Sequence, residues 1–407
     1  MSKEMKLIPE LRFPEFEKEG EWKIESINDL CEILNNIRKP VTSSDRKSGE
    51  YPYYGASGII DFIDDYLFEE QLLLVGEDGA KWGSFENTAF LVKGKYWVNN
   101  HAHVLKPIGI DDKLLESYLV KLDLQPYITG AAPPKLTLGK LKEIPVPTPQ
   151  KPQEQQKIAS CLSSLDELIA AHSDKLDALK DHKKGLMQNL FPQDGETVPK
   201  VRFSEFEGDG DWLPTTVEDN CLVKGRIGYR GYTTQDIVGQ GEGALVLGGK
   251  HIQNQLLELK DPTYLSWDKY YESPEIMVEV GHIIFSQRGT LGDCAIIDRE
   301  IGPATINPSM VLIKNITCDA RFLYYILIGD CIQEEVRKNR SNGAIPMLSQ
   351  KQIKEFSFLI PEPQEQQKIA SCLSALDALI TAQTEKIEQL QQYKKGLMQG
   401  LFPKIEN

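Results

Sequence analysis

Apolar residues at Ile158, Leu162, Leu165, Ile169, Leu176, Leu179, Leu186 and Leu190 are spaced by alternating steps of four and three, once His172 and Lys183 are counted as polar members of the series. That spacing is the seam of a coiled coil, and it predicts one helix over 152–192. The same pattern returns with Ile369, Leu373, Leu376, Ile380, Ile387, Leu390, Leu397 and Leu401, again with two polar members, Gln383 and Lys394. Aligned over 41 residues, the two stretches share 28 identities, including the first twelve positions. A proline opens each helix, where no N–H is needed, and Phe191-Pro192 and Phe402-Pro403 end them. About 39 residues at ~1.5 Å each make a rod of roughly 55–60 Å. Polar seam positions cost stability but fix register and partner choice. Two matched helices in one chain point to an internal pair used as a ruler.

A fainter repeat precedes each helix by a long interval. Arg12-Phe13-Pro-Glu-Phe16, then Gly20 and Trp22, matches Arg202-Phe203-Ser-Glu-Phe206, then Gly210 and Trp212. Between this lead-in and its helix, the second half carries 21 more residues than the first. The order is therefore lead-in, variable module, helix, twice over. Within the modules, short β-branched and aromatic runs bounded by Gly, Asp and Asn read as strands and turns, for example Leu72 to Gly79 and His282 to Ile297. A helical run follows in each, Leu114 to Leu124 and Phe322 to Lys338. Each module then closes through Gly130-Ala-Ala-Pro-Pro134 or Gly343-Ala-Ile-Pro346. The expected class is an α/β (α+β) two-repeat protein, with modules over 1–150 and 193–361, helices over 151–192 and 362–403, and a tail over 404–407.

Composition narrows the function. At 407 residues, 41% hydrophobic and 26% charged, the chain is expected to be a soluble protein of more than one domain. It shows no apolar run of membrane length and no apolar core near the N-terminus, so the expected location is the cytoplasm. The seven cysteines form no CxxC pair, and Cys31 and Cys221, at equivalent places, read as small core residues. The net charge of −14 means that, if nucleic acid is the partner, another subunit supplies much of the positive surface.

A search for catalytic chemistry finds none. There is no GxxxxGK[ST] phosphate loop, and Asn307-Pro-Ser-Met310 departs from the NPP-aromatic loop of amino methyltransferases at Ser309 and Met310. His101 and His103 form an HxH pair that would face one side of a strand, but no third ligand recurs at metal spacing, so a polar groove rather than a metal is expected. The residues suited to touching DNA are Tyr53, Tyr54, Ser57, Lys81, His101 and His103 in the first module. In the second they are Arg226, Arg230, Tyr232, Lys250, His251, Gln287, Arg288, Asn307, Arg337 and Arg340. Arg and Lys suit guanine edges and phosphates, and Asn and Gln suit adenine.

The arrangement resembles the specificity subunit of type I restriction-modification systems, over essentially the whole chain. The most specific likeness is the proline-rich approach to Glu154-Gln-Gln-Lys-Ile-Ala159, and its twin at Glu365-Gln-Gln-Lys-Ile-Ala370. The Lys-Gly-Leu-Met-Gln-x-Leu-Phe-Pro ends, YYGASG (Tyr53 to Gly58) and FSQRGTLGD (Phe285 to Asp293) also look like that family. The resemblance implies two target-recognition domains, each reading one half of an asymmetric site in double-stranded DNA, held apart by an antiparallel coiled coil. It also implies two adenine methyltransferase subunits and two restriction/translocase subunits as partners. These would carry S-adenosylmethionine, ATP and Mg, leaving this chain without cofactor, metal or catalysis. Nearly identical helices beside diverged modules suggest that both helices dock the same partner surface. Gln155, Gln156, Lys184 and Met187, with their twins Gln366, Gln367, Lys395 and Met398, are the expected contacts. The alternatives are a coiled-coil adaptor or a silent copy of the specificity subunit.

Overall fold

The run Leu72–Gly76 is apolar at every position because both faces of its strand are covered. Alternate side chains enter different clusters: Leu73 and Val75 go to one, Leu72 and Leu74 to the other. Its counterpart Ile283–Ser286 behaves alike, with Ile283 and Phe285 on one side and Ile284 on the other. These two strands are the centres of two units seen in a computed structural model that describes residues 7–340 and 346–405. One unit comprises 7–175 with 383–405, the other 176–340 with 346–382.

In the first unit, Leu72–Gly76 lies within a four-stranded antiparallel sheet ordered Cys31–Ile33, Ala102–Pro107, Leu72–Gly76, Ala89–Val92. A second sheet pairs Gly58–Ile63 with Ser48–Gly55, which takes Trp97–Val98 as a parallel neighbour. A third pairs Lys23–Ser26 with Pro145–Thr148 and closes the module at its junction with the long helix. The second unit repeats this plan. Its central sheet runs Leu222–Gly225, Met310–Lys314, Ile283–Ser286, Cys294–Ile296. Beside it Gly243–Leu247 takes Ala304–Ile306 as a parallel neighbour, and Leu213–Thr216 pairs with Ser357–Ile360. The helical run expected over Phe322 to Lys338 is two helices, Ala320–Ile328 and Asp330–Asn339, broken at Gly329. Part of the expected closing segment, Gly343 to Ile345, lies outside the described residues.

The long helices span Pro152–Asn189 and Pro363–Leu401. Within each unit the start of one packs antiparallel on the end of the other. In the first unit, Gln383 Nε2 donates to both Nδ1 and the carbonyl oxygen of His172, each at 2.7 Å, and Lys394 pairs with Asp166. In the second, Lys183 lies 2.6 Å from Asp377, which also accepts from the Tyr325 hydroxyl at 2.7 Å. The polar seam positions are thus satisfied by one another or by a carboxylate on the opposing helix.

The lead-in repeat has a structural meaning. Arg12 grips Glu154 with two parallel bonds of 2.8 and 2.9 Å, and Trp22 Nε1 donates to the same carboxylate at 3.2 Å. Arg202 grips Glu365 at 2.8 and 2.7 Å. Both carboxylates are about 1% exposed, so each clamp fastens a helix start to its module through a buried ion pair. The next residue continues the joint. Gln155 accepts from Asp111 N–H at 3.0 Å, and Gln366 accepts from Asp319 N–H at 3.0 Å. Asp111 and Asp319 are themselves the N-caps of the following module helices.

Candidate nucleic-acid interface

One crest of each module is built by the same backbone bonds. In the first unit, the strand Leu72–Gly76 runs into a turn where Glu77 N–H donates to the His101 carbonyl and Glu77 O accepts from Leu136 N–H, both at 2.8 Å. Asn99 N–H donates to Tyr54 O at 3.1 Å, and its side chain accepts from His101 N–H at 2.7 Å. In the second unit Gln287 N–H donates to Ser309 O at 3.0 Å, and Gln287 O accepts from Leu348 N–H at 2.9 Å. Asn307 N–H donates to Leu247 O at 2.8 Å, and its side chain accepts from Ser309 N–H at 3.0 Å. Gly79 (φ +72°) and Gly289 (φ +84°) take left-handed conformations at the same step of the turn. A Cβ on Gly248 would lie 2.4 Å from Asn307 Nδ2, so glycine there lets the two segments close. Three chain segments thus meet at each crest, offering side chains at loop tips on a rigid sheet, the usual setting for recognition.

The side chains set on this frame differ. In the first unit Arg38 lies 2.6 Å from Glu77 and donates to Ala102 O at 2.8 Å, while Lys135 lies 2.8 Å from Asp78. His101 also bonds Asp78. Partial burial would raise the Asp78 pKa, yet its bonds to Lys135 and His101 outweigh this and hold it below the ordinary value. The crest cations are therefore paired with carboxylates. In the second unit the twins of Glu77 and Asp78 are Gln287 and Arg288. Gln287 donates to Pro308 O at 3.1 Å. Arg288 is exposed, touches Met347 Sδ at 3.2 Å, and among the described residues has no carboxylate partner.

Several sequence-derived candidates need correction. Tyr53 is a core residue, 1% exposed, whose hydroxyl accepts from Val41 N–H at 3.0 Å. His103 is fully buried between Asn35 Nδ2 (2.9 Å) and Leu136 O (2.7 Å), and burial lowers its pKa. It does not share a face with His101, because the strand begins only at Ala102 and His101 stands in the exposed turn before it. His251 is also fully buried and accepts from Gly248 N–H at 3.0 Å. Arg226 is 8% exposed and bonded to Ile306 O (3.2 Å) and Thr305 Oγ1 (3.0 Å); it anchors the 226–232 loop rather than offering a free guanidinium. Gln155 and Gln366 belong to the buried joint, and Met398 is 2% exposed within its own unit's core, so none of the three presents a partner surface.

The remaining candidates are accessible to different degrees. Ser57, Lys81, Lys250, Arg337 and Arg340 are exposed, Lys250 with its ammonium held 3.2 Å from Thr263 Oγ1. Tyr54, Tyr232, Arg230 and Asn307 are half-buried; Arg230 is 3.3 Å from Glu275, and Tyr54 packs edge-on against Tyr96. Gln156, Gln367, Lys184 and Lys395 are exposed on the helices, and Met187 is half-buried. Arg38, Glu77, Asp78 and Lys135 were not singled out from the sequence. The Arg38-Lys39 pair just after a strand was the available signal, but nothing local linked it to Glu77 or Lys135.

Among the described residues no group of three or more His, Cys, Asp or Glu is placed to hold a metal, and no helix is long and apolar enough to cross a membrane. The family model described as the type I restriction modification DNA specificity domain matches residues 19–181 and 269–392. A provisionally named type I restriction enzyme specificity subunit of Haemophilus influenzae is 28% identical over 381 residues, covering 90% of each chain. The type I restriction enzyme MjaVIII specificity subunit of Methanocaldococcus jannaschii is 23% identical, over 96% of this chain and 93% of its own. In fold, the crystal structure of the type I restriction-modification S subunit from M. genitalium aligns with a TM-score of 0.65 at 16% identity, over 98% of this chain and all of that one. A chain from a structural study of type I complex assembly and conformational transition aligns at 0.53 and 13% identity, over 94% and 97%. With two modules on one plan, two clamped helices and a matching family model over most of its length, the chain belongs to the type I restriction-modification DNA specificity family.

Proposed function

We propose that each unit reads one half of an asymmetric, two-part site in double-stranded DNA, and that the paired helices set the unread gap. The observation that carries this reading is the shared crest with exchanged side chains. Glu77, Asp78 and His101 in one unit stand where Gln287, Arg288 and Ser309 stand in the other, on the same hydrogen-bonded frame. Two like frames with unlike groups suit two unlike half-sites. Arg288 can offer two parallel N–H donors to guanine O6 and N7, while the carboxylates of the first crest can accept from cytosine N4. Exposed lysines such as Lys81 suit phosphate contacts that position without specifying.

The chain itself does no chemistry in this reading. Two adenine methyltransferase subunits carrying S-adenosylmethionine would dock on it and supply the positive surface that a net charge of −14 withholds. Two restriction/translocase subunits, using ATP and Mg, would complete a cytoplasmic complex. Genome-wide mapping of adenine methylation with and without the gene tests the reading. A two-part motif with a constant gap should vanish on deletion; an unchanged methylation map would overturn it.

A further inference from the structure

Beneath the turn at Glu77, the buried His103 ring is bonded on both sides. Its Nε2 lies 2.7 Å from the Leu136 carbonyl oxygen, and its Nδ1 lies 2.9 Å from Asn35 Nδ2. A carbonyl oxygen only accepts, so Nε2 carries the ring proton. Asn35 Oδ1 accepts from Val104 N–H at 2.9 Å, which fixes the amide and turns its Nδ2 donor towards the ring. Nδ1 therefore accepts, and every one of these polar atoms is satisfied with a neutral imidazole. Each bond also reaches a different segment of the crest. Leu136 N–H donates to the Glu77 carbonyl, and the neighbouring Lys135 lies 2.8 Å from Asp78. Asn35 lies on the segment that leads to Arg38, which is 2.6 Å from Glu77. His103 adjoins Ala102, whose carbonyl takes a further Arg38 bond at 2.8 Å. One ring thus ties together the segments that carry Arg38, Glu77 and Lys135.

In the second unit Val311 takes the place of His103 and Gly225 that of Asn35, paired across the corresponding strands. No titratable group stands at this point under that crest. In the first unit, a proton on Nδ1 would set two donors face to face across 2.9 Å. An acceptor within reach is Glu77 Oε2, 3.7 Å from Nδ1, but this is the oxygen that Arg38 holds at 2.6 Å. A charged ring would therefore compete with Arg38 for one carboxylate. The charged groups facing the ring are Glu77, Arg38 and Asp78; Lys135 lies 3.9 Å from Glu77, and His101 bonds the outer side of Asp78. Burial outweighs the two carboxylates and lowers the His103 pKa from the ordinary value of 6.5.

We propose that His103 and Asn35 are positioning residues of the first crest, keeping Glu77 with Arg38 while the ring is neutral, so that recognition of one half-site depends on this ring and recognition of the other does not. The inference rests on the functional reading above and adds to it a buried pair that acts through Arg38, Glu77 and Lys135. It makes the two halves of the site unequal in their response to acid.

The full chain, assembled with the methyltransferase subunit of its own system, would be titrated with duplexes carrying the mapped motif or single-base changes in either half. Exchange of residues 23–148 assigns one half to the first unit. His103→Val, which copies Val311, should lower discrimination at that half about ten-fold and leave the other half unchanged. In wild type, discrimination at that half alone should fall as the pH drops below 6.5, and in His103→Val it should be independent of pH. Asn35→Asp keeps an oxygen for Val104 N–H and gives the protonated ring a carboxylate, so Glu77 stays with Arg38. This variant should keep its discrimination over the same pH range. Equal pH dependence of the two halves in wild type would overturn the proposal, as would unchanged discrimination in His103→Val. If His103→Val does not fold, wild type and Asn35→Asp decide alone, and the same fall in both would overturn the proposal. A wild-type complex that discriminates at neither half at neutral pH would overturn the functional reading and, with it, the proposal.

Discussion

The two crests share their backbone bonds and differ in their charge. In the first, Arg38 and Lys135 are paired with Glu77 and Asp78; in the second, Arg288 stands without a carboxylate partner among the described residues. The joints beneath them do not differ in this way. Arg12 with Glu154 and Arg202 with Glu365 repeat to within a few tenths of an ångström. The crest frame and the Arg–Glu clamps are therefore shared, and at the crests the difference lies in side chains at turn positions. That separation lets a crest change what it reads without disturbing how its module is held.

The largest expected effect tests the constant part. Arg12→Ala or Arg202→Ala leaves a buried carboxylate without its guanidinium and should destabilise its unit by about 3–5 kcal/mol in thermal melting, with Arg12→Ala the milder because Glu154 keeps the Trp22 Nε1 bond. Little or no destabilisation in either variant would show that the clamp does not hold its module. Next comes the variable part. Arg288→Ala should cost about 1–3 kcal/mol of discrimination at one base of one half-site, read by binding to a panel of single-base variants, and leave the other half-site unaffected. Loss spread evenly over all sequences would instead make Arg288 a phosphate contact.

The smallest effect concerns the paired charges of the first crest. The Asp78 pKa is depressed in the folded state, so its contribution is present above the ordinary value of 3.8 and is lost as pH falls through the lower folded value. The pairs are partly solvated, so the contribution should be no more than about 1 kcal/mol. The difference in melting temperature between wild type and Asp78→Asn should shrink towards zero below that pH. A difference that persists in acid would show that Asp78 acts by packing rather than by charge.

The helices were legible because their signal is local: a three-four spacing and 28 identities in 41 positions need no tertiary information. The lead-in repeat was equally visible, but its meaning was not, because Arg12 meets a carboxylate 142 residues away. The module sheets were hidden for the same reason, since their strands pair across long intervals and one joins in parallel. His103 shows how a polar residue misleads. It sits in an alternating HAH run, but the strand starts one residue later than that alternation requires, and Asn35 and Leu136 satisfy it inside. Arg288 was named from the sequence as a candidate DNA contact and stands exposed at the turn, whereas the pairing that distinguishes it from Arg38 appears only in three dimensions.

The most direct test of the account is an exchange of one module. Residues 23–148 would be replaced by the corresponding module of another family member, leaving both clamps and both helices intact, and the methylated motif would be mapped. The account predicts that one half of the motif changes while the other half and the gap between them stay as they were. A change in both halves, or in the gap, would contradict it.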